Sequence, residues 1–163
     1  MSISQDLHLT KRFIYFTRVS SLIVMSLGVI VLAGWVLDLG ILKSLLPGLP
    51  TMKANTAIAL VLAGVALWFT GRENGDSVSL RSAQFCGGAA GLLGLLTVGE
   101  YLFGWDAGID QLIFLDLQIP QAAFPGRMAL ATAFCFMLIG IAFILINSRS
   151  GKAVGVGQYF AAA

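Results

Sequence analysis

The chain has 163 residues, of which 58% are apolar and 11% charged, with a formal charge of +2 and a mean hydropathy of +0.89. Soluble domains carry roughly a quarter charged residues, and ten basic and eight acidic side chains cannot cover a globule of this size. The same arithmetic excludes disorder, a disulfide scaffold and a nucleic-acid partner, and leaves an integral membrane protein in contact with the lipid bilayer; its apolar runs, too long for strands and without a barrel's alternation, make it all-α.

Residues 1–18 read as a polar and aromatic lead. The first apolar run, Val19 to Leu37, carries no charge; at 1.5 Å per residue it is roughly 28 Å long, close to the hydrocarbon thickness. No cleavable signal peptide fits, because the run is long, lies behind the lead and has no small-residue cleavage site. An outer connection follows in which Ile41, Leu42, Leu45 and Leu46 are apolar and Pro47 and Pro50 break the helix. The second run spans Ala54 to Gly71. Asn55 and Thr56 open it, either satisfying the local backbone as a cap or offering polar contacts to a ligand.

The third run, Ser82 to Phe103, has a face of small residues in which Gly87 pairs with Gly91 and Ala90 with Gly94. Small residues let helix backbones approach closely. The face therefore reads as packing inside the bundle or across a homodimer, or as a flat slot for a bound lipid, quinone or pigment. No cofactor is identifiable, and the single histidine, His8, lies in the lead, so histidine ligation of haem or chlorophyll within the spans is excluded. Glu100 is the one ionisable group in a span; Arg127, at the mouth of the fourth run (Met128 to Asn147), is within reach of it. The two read as an ion pair joining the halves, or as a ligand or proton site. The second outer connection carries Ile109, Leu112, Ile113, Leu115, Leu117, Pro120 and Pro125, with Asp106 and Asp110 read as a solvated edge. Trp35, Tyr101 and Trp105 are expected as interface anchors at headgroup level. Cys86 and Cys135 read as small packing residues, with no metal-ligand spacing.

Charge sets an orientation. Lys11, Arg12, Arg18, Arg72, Arg81, Arg149 and Lys152 fall on one side, against Lys43, Lys53 and Arg127 on the other. The positive-inside rule then puts both termini, including the tail 148–163, in the cytoplasm. The two halves, about 19–71 and 82–147, are similar: Met52–Ala57 aligns with Met128–Ala133, Gly64 with Gly140 and Ala66 with Ala142, and Gly34-Trp35 is matched to Gly104-Trp105. Two hairpins entering from the same side predict a four-helix bundle with a pseudo-two-fold axis along the membrane normal. No nucleophile elbow, Walker loop, zinc motif or cysteine cluster is present, so an enzyme is not expected.

The segments PTMKANTAIALVLAGVALW (50–68), GEYLFGWDAGIDQLIF (99–114) and PGRMALATAFCFMLIGIA (125–142) resemble the N-terminal multi-pass membrane region of bacterial signalling proteins that precedes PAS, histidine-kinase, GGDEF or phosphatase output domains. The resemblance covers about residues 10–150 and implies a sensory or anchoring input module in a bacterial inner membrane. It departs from the family pattern M-x-P-N-T-A at Ala54 in the first half and at Leu130 and Ala131 in the second, which argues against a polar site built symmetrically by both halves. The tail RSGKAVGVGQYFAAA carries no output motif. Two functions are therefore expected: the input module of a receptor, or a small accessory subunit of a larger respiratory or photosynthetic membrane-protein complex.

Overall fold

A computed structural model of the chain describes residues 3–44, 51–71, 77–111, 114 and 125–146. Among them there are five α-helices, one short 3-10 turn and no strand. The helices are α1 (Ile3–Val36), α2 (Gly40–Ser44), α3 (Ala54–Thr70), α4 (Ser77–Phe103) and α5 (Leu130–Ile146), with the 3-10 turn at Ile109–Gln111 between α4 and α5. By length and composition, α1 over Lys11–Val36 and α4 can cross a membrane; α3 and α5, with 17 residues each, are shorter apolar helices.

The sequence explains the bounds. α1 contains no proline and runs unbroken for 34 residues, so the lead is helical and continuous with the first span. It ends where Asp38 takes a left-handed conformation (φ 54) and Leu39 N–H bonds back to Gly34 O at 2.9 Å, a closure that satisfies the last carbonyls. α4 stops the same way, at Gly104 (φ 63). α3 begins after Lys53, whose backbone is extended and whose side chain makes no cap; the capping position is therefore one occupied by Lys53, and Asn55 is already in the first turn.

α1 packs on α3, α3 on α4 and α4 on α5, with slight contact between α3 and α5 and no comparable packing of α1 on α5. The hairpins meet along one seam and form an open row, whereas a bundle with a pseudo-two-fold axis along the normal would also pack α5 on α1. The repeat itself is present at close range. A Cβ on Gly28 would stand 2.7 Å from Ala57 O and 3.1 Å from Val61 N, and one on Gly94 would stand 2.4 Å from Ala133 O and 2.7 Å from Met137 N. Gly64 lies against Ser21 O and Met25, and Gly140 against Gly87 O and Gly91. The first helices of the hairpins thus correspond at an offset of 66 residues (Gly28 with Gly94), which makes Tyr101, not Trp105, the counterpart of Trp35.

The interior combines small residues with a few large ones: Ala59, Ala90 and Ala133 with Met128 and Phe136 around the α3–α4–α5 seam, and Ala54 and Ala57 with Val31 and Trp35 between α1 and α3. The large side chains face outward, including Leu22, Ile23, Ile30, Leu92, Leu95, Phe134, Leu138 and Ile141. A soluble protein hides such residues, whereas helices in lipid pack their small faces and leave the large ones outside. Gly87, Ala90, Gly91 and Gly94 are all buried. Gly87, Gly91 and Gly94 lie against α5, so this face is internal packing and leaves no room for a flat ligand or a second copy of the chain.

Cys86 is half-buried and Cys135 exposed, both as free thiols; Cys135 therefore does not pack inside as expected. Ile41 and Leu42 lie in α2. Leu45, Leu46, Pro47, Pro50, Arg72, Leu112, Ile113, Leu115, Leu117, Pro120, Asn147 and the tail 148–163 fall outside the described residues.

Candidate functional site

Among the residues whose side chains are described, the carboxylates Asp38, Glu100, Asp106 and Asp110 are at the end of the bundle away from the start of α1. Three of them meet at Arg127, which the short segment between Gly126 and α5 holds with its side chain 2% exposed. Gly126 makes this possible: its φ is +79, and a Cβ there would stand 2.7 Å from Asp110 O, so a larger residue would be both strained and blocked. Gln111 adds a hydrogen bond from Nε2 to Pro125 O at 3.3 Å.

Arg127 Nε donates to Asp110 Oδ2 at 2.8 Å and lies 3.5 Å from Glu100 Oε2. Nη2 is 3.7 Å from Asp106 Oδ1 and donates to Trp105 O at 3.4 Å. The guanidinium carbon stands 5.4 Å from the Tyr101 ring centre, a cation–π distance. Glu100 is fully buried; its Oε1 accepts from Ala107 N–H at 2.9 Å. The other oxygen of Asp110 accepts from Asn55 Nδ2 at 3.0 Å. Asp106 is mostly exposed, and its Oδ1 accepts from Gly108 N–H at 2.9 Å. Asn55 of α3, Glu100 and Tyr101 of α4, the connection and the segment before α5 are therefore fastened together.

Burial works against a charged guanidinium, but the hydrogen bond to Asp110 and the charges of Glu100, Asp110 and Asp106 outweigh it, so Arg127 is held above its ordinary value. Carboxylate oxygens of Glu100, Asp106 and Asp110 lie within 4.8 Å of one another, a donor set that suits a hard cation. Arg127 contacts all three and is the cation that the arrangement already holds. Among the described residues, Glu100 Oε2 and the buried Thr97 Oγ1, one turn earlier on α4, have no hydrogen-bond partner.

The first hairpin has a smaller counterpart. Trp35 Nε1 donates to Met52 O at 2.9 Å, as Tyr101 Oη donates to Met128 O at 3.2 Å. Lys43 Nζ stands 4.5 Å from the Trp35 ring centre and pairs with Asp38. Where α4 places Glu100, α1 has Gly34, against which α2 packs through Leu42 and Lys43.

The structure thus brings Glu100, Arg127 and Asn55 into one cluster. Thr56 contributes a backbone N–H to Asn55 Oδ1 at 2.8 Å. Tyr101 and Trp105 are exposed, but Trp35 is 7% exposed and belongs to the α1–α3 interior, which corrects its reading as an interface anchor. Asp110 is the residue that the solvated-edge reading missed: it is buried and holds both Asn55 and Arg127. Asn55 in the first turn of α3, Asp110 in the 3-10 turn of the connection and Arg127 ahead of α5 all lie at one end of the bundle, and that shared depth was the available signal. No family model, curated protein or solved structure matches this chain.

Proposed function

We propose that the chain is a non-catalytic input or anchoring module of a bacterial inner membrane, in which α1, α3, α4 and α5 all cross the bilayer and both termini are cytoplasmic. The helices of 17 residues are at the short end of what spans a hydrocarbon core of about 30 Å. The excess of Lys and Arg at the end opposite the latch supports the orientation. One observation carries the sensory reading. Asn55, Glu100, Asp110 and Arg127 form a buried polar latch on the outer end that joins both hairpins. A stimulus that loosens this latch changes how the hairpins meet, and α1 and α5 carry that change across the membrane.

The test is a fusion of the chain to a histidine-kinase output in bacterial membranes. Arg127→Gln is expected to shift basal output at equal membrane abundance. An output indifferent to that change, in a fusion that remains folded, overturns the sensory reading. The open row favours a second reading, an accessory subunit of a larger membrane complex, because the outer faces of α1 and α5 are uncovered. Retention of the chain with a defined complex through mild-detergent purification supports that reading.

A further inference from the structure

Among the residues whose side chains are described, charge divides by end. Asp38, Glu100, Asp106 and Asp110 lie at the latch end, together with Lys43, Lys53 and Arg127. At the opposite end the charged side chains described are basic and exposed: Lys11, Arg12 and Arg18 on α1 and Arg81 on α4; by sequence that end holds seven bases, with Arg72, Arg149 and Lys152, against three acids, Asp6, Glu73 and Asp76. Large aromatic rings stand among them. Phe13, Tyr15 and Phe16 are 62%, 72% and 69% exposed, and Phe85, one turn after Arg81, is 77% exposed.

The depth of this belt is fixed by the fold. Arg18 Nε donates to Gly71 O at 3.3 Å, and its guanidinium carbon lies 5.9 Å from the Trp68 ring centre, which levels α1 with the end of α3. Arg18 also marks the boundary of the uncharged run that starts at Val19. Lys11 is seven residues earlier on the same unbroken helix, about 10 Å along the axis, a rise that carries the helix through the headgroup layer. Lys11, Tyr15 and Arg18 recur at helical spacing on one face, and Arg12 and Phe16 lie beside them. Bases interleaved with amphipathic rings at this depth match a headgroup layer with negative charge.

We propose that this end of the molecule binds anionic phospholipid headgroups through Lys11, Arg12, Arg18 and Arg81, with Phe13, Tyr15 and Phe16 seated among them. The proposal rests on the membrane-spanning reading above. Charge complementarity selects the lipid: by sequence that end carries seven bases against three acids, and this net positive charge discriminates phosphatidylglycerol from zwitterionic phosphatidylcholine.

The experiment uses the full chain in phosphatidylcholine nanodiscs containing traces of spin-labelled phosphatidylglycerol or spin-labelled phosphatidylcholine. The motionally restricted fraction of each label is measured by electron paramagnetic resonance. The restricted population is expected to favour phosphatidylglycerol about fivefold, the equivalent of one base acting at an anionic surface, and to lose that preference in high salt. Lys11 and Arg12 are exposed, so the double variant Lys11→Gln/Arg12→Gln keeps its fold and is expected to halve the preference or more. Equal association of the two labels with the unaltered chain overturns the proposal, as does a preference that the double variant leaves intact. A chain that does not float with phospholipid vesicles overturns the membrane reading itself, and this proposal with it.

Discussion

Trp35 and Tyr101 hold the same place in successive hairpins. Each closes the first helix of its hairpin by donating to the carbonyl of the methionine ahead of the next, Met52 or Met128, at 2.9 and 3.2 Å. Each also has a cation over its ring, Lys43 or Arg127. Removing the donor alone should cost similar amounts in both halves. Trp35→Phe and Tyr101→Phe are each expected to lower stability by about 1 kcal/mol, the net worth of one hydrogen bond, with Trp35→Phe somewhat costlier because the smaller ring also underfills a buried site. Reversible unfolding in mixed detergent, followed by circular dichroism, measures both. A neutral Tyr101→Phe would show that its bond is made equally well by solvent.

The latch is unequal in its parts. Arg127→Gln leaves Glu100 and Asp110 buried without their cation, and breaking a buried pair in this way costs about 3–5 kcal/mol. Glu100→Gln removes one of three acids and keeps an oxygen for Ala107 N–H, so it is expected to cost clearly less. The two effects should be non-additive, since both variants remove the same contact. Equal and additive losses in the same unfolding assay would mean that Glu100 and Arg127 do not interact.

Asn55 and its neighbour Thr56 should separate cleanly. Asn55→Ala loses the bond to Asp110 and is expected to cost about 1.5–3 kcal/mol, the range for hydrogen bonds to a charged group. Thr56→Ala is expected to fall within about 0.5 kcal/mol of the parent. A larger loss at Thr56 would point to a hydroxyl contact that carries weight.

Glycines on α4 give a graded test of packing. A Cβ on Gly94 would stand 2.4 Å from Ala133 O, whereas one on Gly88 would meet only the Ile144 side chain at 3.8 Å. Gly94→Ala is expected to destabilise by about 1–3 kcal/mol, as overpacking does, and Gly88→Ala to be tolerated. Cross-linking of cysteines placed on α4 and α5 would report the separation of the helices directly.

The four long apolar helices were legible in the sequence because their runs are long, apolar and free of internal proline. The repeat was legible through Met52/Met128 and Gly64/Gly140, yet the Gly-Trp match misplaced the first helices, since identity of Trp35 and Trp105 outweighed position. Glu100 and Arg127 stood out as charges beside apolar runs. Asp110 did not, because two aspartates in a connection look alike until the fold shows that Asn55 descends beside one of them while Asp106 faces outward. Burial of Trp35 was equally hidden: α2, a helix of five residues, places Lys43 over its ring.

The approach of Gly91 to Gly140 has a mechanical consequence. A Cβ on Gly91 would stand 2.7 Å from the Gly140 Cα, so α4 and α5 touch backbone to backbone and have few rotamers at that contact to rearrange. Around the core shared by α3, α4 and α5, by contrast, partly buried side chains such as Leu60, Leu62 and Leu93 have rotamers with which to repack. Under the sensory proposal, relative displacement of the two halves would be taken up where α3 meets α4, as at an articulation. Asn55 and Glu100 lie on its two sides, with Asp110 and Arg127 between them as the tether that limits its travel.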